Sequence, residues 1–289
     1  DFYEYSLIRD HDGHLITRNV IQAASPDKMG IEGLKVWLDA IEPKRDGNPY
    51  VNDEQLSNLW FDKLEFNNAA DFNGSLEYPG SSPTFKTNIF GELPALHFEA
   101  DGTYSDYFLI AKGNQLTDTE ELTIITYLKP ETDSWTLVSQ ENLEQLFVGF
   151  LDSKFVVKVR NLDRYGSDVF SKDGAKEDYI SVKSTNQGNL NGQTFSLKLT
   201  IAKHSSGSLI NLYKDGVKVI DNQIIKSRLK LPDNSAESSR KKWRFFKREG
   251  GADQDPHSFS GYVGEILIYD NALDVSEINR MQTYITNKW

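Results

Sequence analysis

The chain has 289 residues, no cysteine and a formal net charge of −11, material for one large β domain or two small ones. The lack of cysteine excludes a disulfide framework and a Cys-ligated zinc site, and the acidic balance argues against DNA or an anionic membrane as the main partner. No apolar run approaches the roughly 20 residues that a bilayer-crossing helix requires.

Residues 1–29 read as a separate N-terminal arm. Tyr3, Tyr5 and Leu7 alternate, Asp12-Gly13 is a turn signal, and Leu15–Ile21 is again rich in β-formers. A hairpin or extended arm is expected, with two short helical pieces interrupted at Gly13 as the alternative. His11 and His14 flank the turn. A metal would need both imidazoles to converge on one ion, so a solvated polar turn is the default. The chain opens on Asp1 rather than Met, which is compatible with a leader already removed, and no signal peptide is legible.

A single domain is expected over 30–289. Leu34, Val36 and Leu38 alternate with Lys35, Trp37 and Asp39, which is strand periodicity. Leu122–Leu128 reads as a buried strand, and Leu137–Ser139, Leu146–Phe150 and Phe155–Val159 follow at short spacing, with Asp152-Ser153 as a hairpin turn. Asn161–Gly192 is polar and reads as a long loop or peripheral insertion. Phe195, Leu197, Leu199 and Ile201 lie on one face of a strand, and Asp215-Gly216 between two apolar runs is a hairpin signal because the turn requires φ > 0. Residues 233–258 are a polar excursion around one aromatic and basic cluster, Arg240–Arg248. Val263–Tyr269 then forms a strand. Asp274 and Glu277 have the spacing of a capping box, and Val275, Ile278, Met281, Ile285 and Trp289 recur on one helical face.

Several of these segments match a known pattern. Gly261, Glu265, Ile268, Tyr269, Lys288 and Trp289 fit a closing strand and helix, and Gly33-Leu34, Trp37-Leu38-Asp39-Ala40 fit an opening strand. Trp60-Phe61-Asp62, Pro83-Thr84-Phe85 and Leu93–Phe98 fit elements between them. Together they resemble the bacterial laminin-G-like domains of the concanavalin A-like lectin and glucanase group. The resemblance implies an all-β, two-sheet antiparallel jelly-roll sandwich with a short C-terminal helix. It also implies a calcium site, with Asp39, Asp101, Asp106 and Glu265 as ligand candidates. One departure stands against calcium: where the closing strand of the family often carries Asp, this chain has Gly264.

The fold does not name a function, since it carries lectins, enzymes and inert modules alike. The glucanase signature E-x-D-x-x-E is met only by Glu99 and Asp101, with Tyr104 in the third position and Gly102 breaking the strand, so no catalytic residue is assigned. No G-x-S-x-G elbow, H-E-x-x-H helix or phosphate-cradling glycine loop is present. Tyr104, Tyr107, Arg240, Trp243 and Arg244 are candidates for ligand contact, because sugars stack on aromatic rings and acidic groups pair with Arg. The competing reading of the basic cluster is a strand with Trp243 and Phe245 turned inward. Trp60 and Trp135 are expected in the core, and Tyr165 is a further exposed candidate. Three functions remain: a non-catalytic extracellular binding or adhesion module contacting glycan or protein; a structural subunit of a surface filament that uses residues 1–29 as an inter-subunit arm; and a carbohydrate-active enzyme with an atypical site. A bacterial cell-surface or extracellular location and no nucleic-acid partner are expected.

Overall fold

In the computed structural model, residues 4–9, 15–20, 25–41, 51–56, 59–60, 62–64, 74–75, 83–99, 108–110, 119–140, 146–160, 179–229, 243–246 and 258–289 are described. Strands β1 (Glu4–Arg9) and β2 (Leu15–Val20) pair antiparallel, from Glu4↔Val20 to Arg9↔Leu15. Next comes a single 3-10 turn, Pro26–Lys28, in which Pro26 is buried. The strands of the body are β3 (Leu34–Asp39), β4 (Leu59–Trp60), β5 (Gly74–Ser75), β6 (Thr84–Phe90), β7 (Leu93–Phe98), β8 (Phe108–Ile110) and β9 (Leu122–Pro130). They continue as β10 (Trp135–Gln140), β11 (Leu146–Leu151), β12 (Lys154–Arg160), β13 (Tyr179–Lys183) and β14 (Phe195–His204). The last are β15 (Gly207–Lys214), β16 (Val217–Ile225), β17 (Trp243–Phe245) and β18 (Gly261–Tyr269), before helix α1 (Val275–Lys288).

Two antiparallel sheets result, as expected for the sandwich. One runs β13-β12-β11-β10-β17-β8-β5-β4, and the other β16-β15-β14-β9-β18-β7-β6, with β3 also on β18. Between them lies a core of alternating inward residues, with Trp60, Phe98, Trp135, Phe150, Phe155, Phe195, Phe245 and Phe259 among its members. Trp135 stacks on Phe150 at 5.8 Å and meets Phe259 edge-on at 5.9 Å. The second sheet is buried on its other face as well. There Trp37, Ile125, Leu267 and Tyr269 pack against Ile278, Met281, Tyr284 and Ile285 of α1. Burial on both faces is why β9 and β18 read as near-continuous apolar runs instead of clean alternation.

Local turn chemistry sets the hairpins. Asp215 and Gly216 have φ of 49° and 79°, and Asp152 and Ser153 have 52° and 60°, so both expected turns bend through the left-handed region that matches strand twist. The capping box is also present: Asp274 accepts from the Glu277 N–H at 2.8 Å, and the Glu277 carboxylate accepts from the Asp274 N–H at 2.9 Å.

Three expectations are corrected, and the place of Phe246 is new. Val275 lies off the buried face of the helix, 59% exposed, while Tyr284 takes a buried place. Leu34 does not share a face with Val36 and Leu38. A register shift opposite Ile268 and Tyr269 puts it with Trp37 on the helix side. Tyr179–Lys183, inside the expected polar insertion, is a strand paired to β12. Phe246 is buried beside Phe245 rather than alternating with it, because its positive φ of 72° swings the chain inward.

Strand β14 places Lys198, on the face opposite Leu197 and Leu199, beneath α1. Its side chain is fully buried, and its ammonium donates to Ser196 Oγ at 3.1 Å and to Gln282 Oε1 of the helix. Desolvation lowers its pKa to about 8, against the partial opposition of the Asp215 charge. Between that value and the 10.5 of an open chain, the unfolded state holds the extra proton, so stability rises with pH across this window. Below it, holding the proton costs the fold roughly 3 kcal/mol. Lys198→Met should therefore raise the melting temperature at pH 7, and its advantage over the parent chain should shrink as pH approaches 10. Parallel pH–melting curves for the two proteins would contradict this account.

Candidate functional site

Of the acidic residues singled out for a metal, two come together. Asp39 ends β3 and Glu265 lies on β18, and they are directly opposite in the antiparallel ladder. Like charges facing each other across a strand pair repel, and both side chains are buried, at 2% and 0% exposure. An arrangement of this kind folds only if positive charge and donors come with it.

They come from four directions. Lys288, in the last turn of α1, donates to Asp39 Oδ2 at 2.9 Å, Glu265 Oε1 at 2.7 Å and the Tyr284 hydroxyl at 3.0 Å. Its three N–H bonds thus have three acceptors. Lys63 donates to Asp39 Oδ2 at 3.2 Å, and the Ile41 N–H to Asp39 Oδ1 at 2.9 Å. Glu265 Oε1 also accepts from Trp37 Nε1 at 2.7 Å and from the Tyr284 hydroxyl at 2.6 Å, and Oε2 accepts from Trp289 Nε1 at 2.9 Å. Burial and the adjacent Glu265 charge push the Tyr284 phenol pKa far up, which keeps it a donor. Two carboxylates and two ammonium groups balance in charge.

The fit to calcium fails at this pair. Calcium takes six to eight oxygen ligands with lone pairs available, whereas all four carboxylate oxygens here already accept from N–H or O–H groups. Gly264, in the place of the family's Asp, has a packing reason. It is the extra residue in a bulge between Val263 and Glu265, and a Cβ there would stand 3.1 Å from the Trp289 ring and 3.2 Å from Phe90. Trp289 in turn stacks on Tyr127 at 5.5 Å.

The bulge also explains how β18 serves two neighbours on one side. Gly261–Val263 pair with β7, and Glu265–Tyr269 pair with β3. Asp62, from the W-x-D element, ties the next segment to β3 by accepting from the Trp37 and Leu64 N–H groups at 3.0 and 2.9 Å. Sequence reasoning did not place Lys63, Tyr284 or the lysine of the closing Lys-Trp in this centre. The available signal was the spacing of Tyr284 and Lys288, four residues apart on the face that Ile285 and Met281 bury.

The other candidates are distributed differently. Asp101, Asp106, Tyr104, Tyr107, Arg240, Tyr165, His11 and His14 lie outside the described residues. Trp60 and Trp135 are core members, as expected, and Trp60 Nε1 donates to the Asp39 carbonyl at 3.1 Å. Glu99, at the end of β7, is 68% exposed in its side chain and stands 3.4 Å from His97 Nδ1, while His97 Nε2 is 2.9 Å from Glu131 Oε2. Strand β17 sits between β10 and β8. Its register pairs Arg244 with Ser139 and Leu109, and Phe245 with Val138 and Phe108. Because Phe245 and Val138 are core residues, the Arg244 position belongs to the opposite face of the sheet. Ser139, Phe147 and Lys158 follow one another across that face, with the Lys158 ammonium 4.9 Å from the Phe147 ring centre.

No family model matches the chain, and no curated protein does. Solved structures do. The sandwich is similar to those of clostridial toxin binding domains. The binding domain of Paraclostridial Mosquitocidal Protein 1 superposes with a TM-score of 0.56 at 12% identity, covering 88% of this chain and 53% of that one. A botulinum neurotoxin type C structure, from work on cell entry dependent on two ganglioside molecules, gives 0.52 at 11% identity over 89% and 52%. The botulinum neurotoxin DC binding domain in complex with rat synaptotagmin II gives 0.51 at 11% identity over 89% and 52%. This chain therefore spans about half the length of those structures, and at such identity the likeness is one of fold. The laminin-G-like expectation and the toxin domains agree at the level of the lectin-like sandwich. No helix among the described residues is long and apolar enough to cross a membrane.

Gly264→Asp, which introduces the residue that laminin-G-like domains often carry at this place, should push Trp289 off the bulge and bring a third carboxylate to a balanced centre. A lower melting temperature in buffer, not recovered by added calcium, is the expected outcome. Stabilisation by calcium would mean that the centre can be rebuilt around a metal.

Proposed function

We propose that this chain is a non-catalytic binding module that acts outside a bacterial cell and recognises a glycan- or protein-bearing surface. The observation that carries the reading is the extent of the fold likeness: 88–89% of the chain superposes on binding domains. The names attached to those structures speak of ganglioside interaction and of a synaptotagmin complex, so glycan and protein are the two ligand classes to test. Arg244, in the aromatic and basic segment that forms β17, is the contact we assign to an acidic group of the ligand, since Arg pairs with carboxylates in a two-pronged geometry.

Fluorescently labelled protein should bind cultured cells saturably, and pretreatment of the cells with glycosidases or proteases should remove that binding and tell the two classes apart. Arg244→Ala should weaken it about tenfold, the scale of one charge-assisted hydrogen bond. Absence of saturable binding to cells and to a glycan array, or polysaccharide cleavage that Glu99→Gln abolishes, would defeat the proposal.

A second reading has its own observation. Strands β1 and β2 pair with each other and with no other strand among the described residues. An isolated two-stranded hairpin is marginal in water, and its free edges are templates for strand addition. Under this reading the chain is a filament subunit with the hairpin as its arm. Negative-stain images should then show ordered polymers at high concentration that vanish when residues 1–24 are deleted. Polymers persisting without the arm would contradict it.

A further inference from the structure

The resemblance implies a divalent cation near Asp39 and Glu265, and the geometry of that pair does not fit one. We infer that Lys288 is a resident cation, tethered to the end of α1, which does the charge-balancing work of a metal, and that the cage it fills is selective for an organic ammonium group.

Three observations carry this. The first is completeness. The Lys288 ammonium bonds both carboxylates and the Tyr284 hydroxyl at 2.7–3.0 Å, so each of its protons has an acceptor. The second is the wall of the cage. The same nitrogen lies 4.9 Å from the Trp289 ring centre, 5.4 Å from that of Tyr284 and 6.0 Å from that of Trp37. Ring faces attract ammonium ions through their quadrupoles and are the usual lining of sites for organic cations. They offer no oxygen to calcium, whose ligands are carboxylates, carbonyls and water. The third is access. The Lys288 side chain is 14% exposed while those of Asp39 and Glu265 are 2% and 0%, so the cage reaches solvent along Lys288 and, on the Asp39 side, along the 24% exposed Lys63. Shortening the Lys288 side chain would leave a channel of ammonium shape leading to one uncompensated carboxylate charge.

The consequence reaches the fold. Lys288 joins the last turn of α1 to β3 across 249 residues and to β18 across 23. The ammonium therefore docks the helix as well as balancing the charge. The tether makes the effective concentration of the cation high, which frees this centre from a supply of metal.

The test uses the whole chain. The melting temperature of the parent protein should be the same in calcium and in a chelator. Lys288→Ala should melt several degrees lower, and methylammonium or ethylammonium chloride should restore a large part of the loss where equal concentrations of sodium or calcium chloride do not. If Lys288→Ala does not fold unaided, its soluble yield on refolding with and without methylammonium reads the same quantity. Trp289→Phe in the Lys288→Ala background keeps a ring but removes the indole donor, and should weaken rescue without abolishing it. Rescue by calcium in place of the amines, rescue by no cation, or chelator sensitivity of the parent chain would each overturn the inference.

Discussion

Two carboxylates that face each other across adjacent buried strands set the conditions for the outer half of this protein. Moving one such charge out of water costs several kcal/mol even after the surroundings relax. Asp39 and Glu265 survive together because each of their oxygens receives at least one donor and because Lys63 and Lys288 cancel their charge. The donors come from Trp37 of β3, from Ile41 just after it, from Lys63 after β4 and from Tyr284, Lys288 and Trp289 at the end of the helix. The centre can form only when the first strand of the body, the last strand and the helix are already in place, so it rewards completion of the fold more than its beginning.

The same region shows how one strand organises a sheet. Strand β18 is contacted along its length by β9 and, on the other side, first by β7 and then by β3. The bulge at Gly264 allows the change of partner, and it also clears the space that the Trp289 ring occupies. A substitution at this glycine therefore acts on pairing, ring packing and the charge centre at once. Lys198 marks a different balance under the same helix. Among the described residues its ammonium has hydroxyl and amide partners but no carboxylate bonded to it, so the cost of burying it is not offset as it is for Lys288.

The charge centre is sealed beneath the helix and the aromatic core is sealed between the sheets. The Asp39–Glu265 centre lies in the sheet that contains β3 and β18, whereas β17, with Arg244 in register with Ser139, lies in the other sheet.

Local structure was legible where short-range physics decides it. Asp215-Gly216 and Asp152-Ser153 turn through positive φ whatever surrounds them, and Asp274 with Glu277 caps a helix with groups three residues apart. Periodicity assigned Ile278, Met281 and Ile285 to a buried face, and the resemblance brought Asp39 and Glu265 into one list. Tyr179–Lys183 was lost inside a polar stretch because its pairing energy comes from β12 and not from its own composition. The cation between the two acids was decided by tertiary structure alone. A carboxylate reads the same in sequence whether it meets calcium, water or an ammonium group. Which of these it meets depends on the register that sets Glu265 opposite Asp39 and on the helix length that brings Lys288 over them, and both arise only when strands more than two hundred residues apart lie side by side.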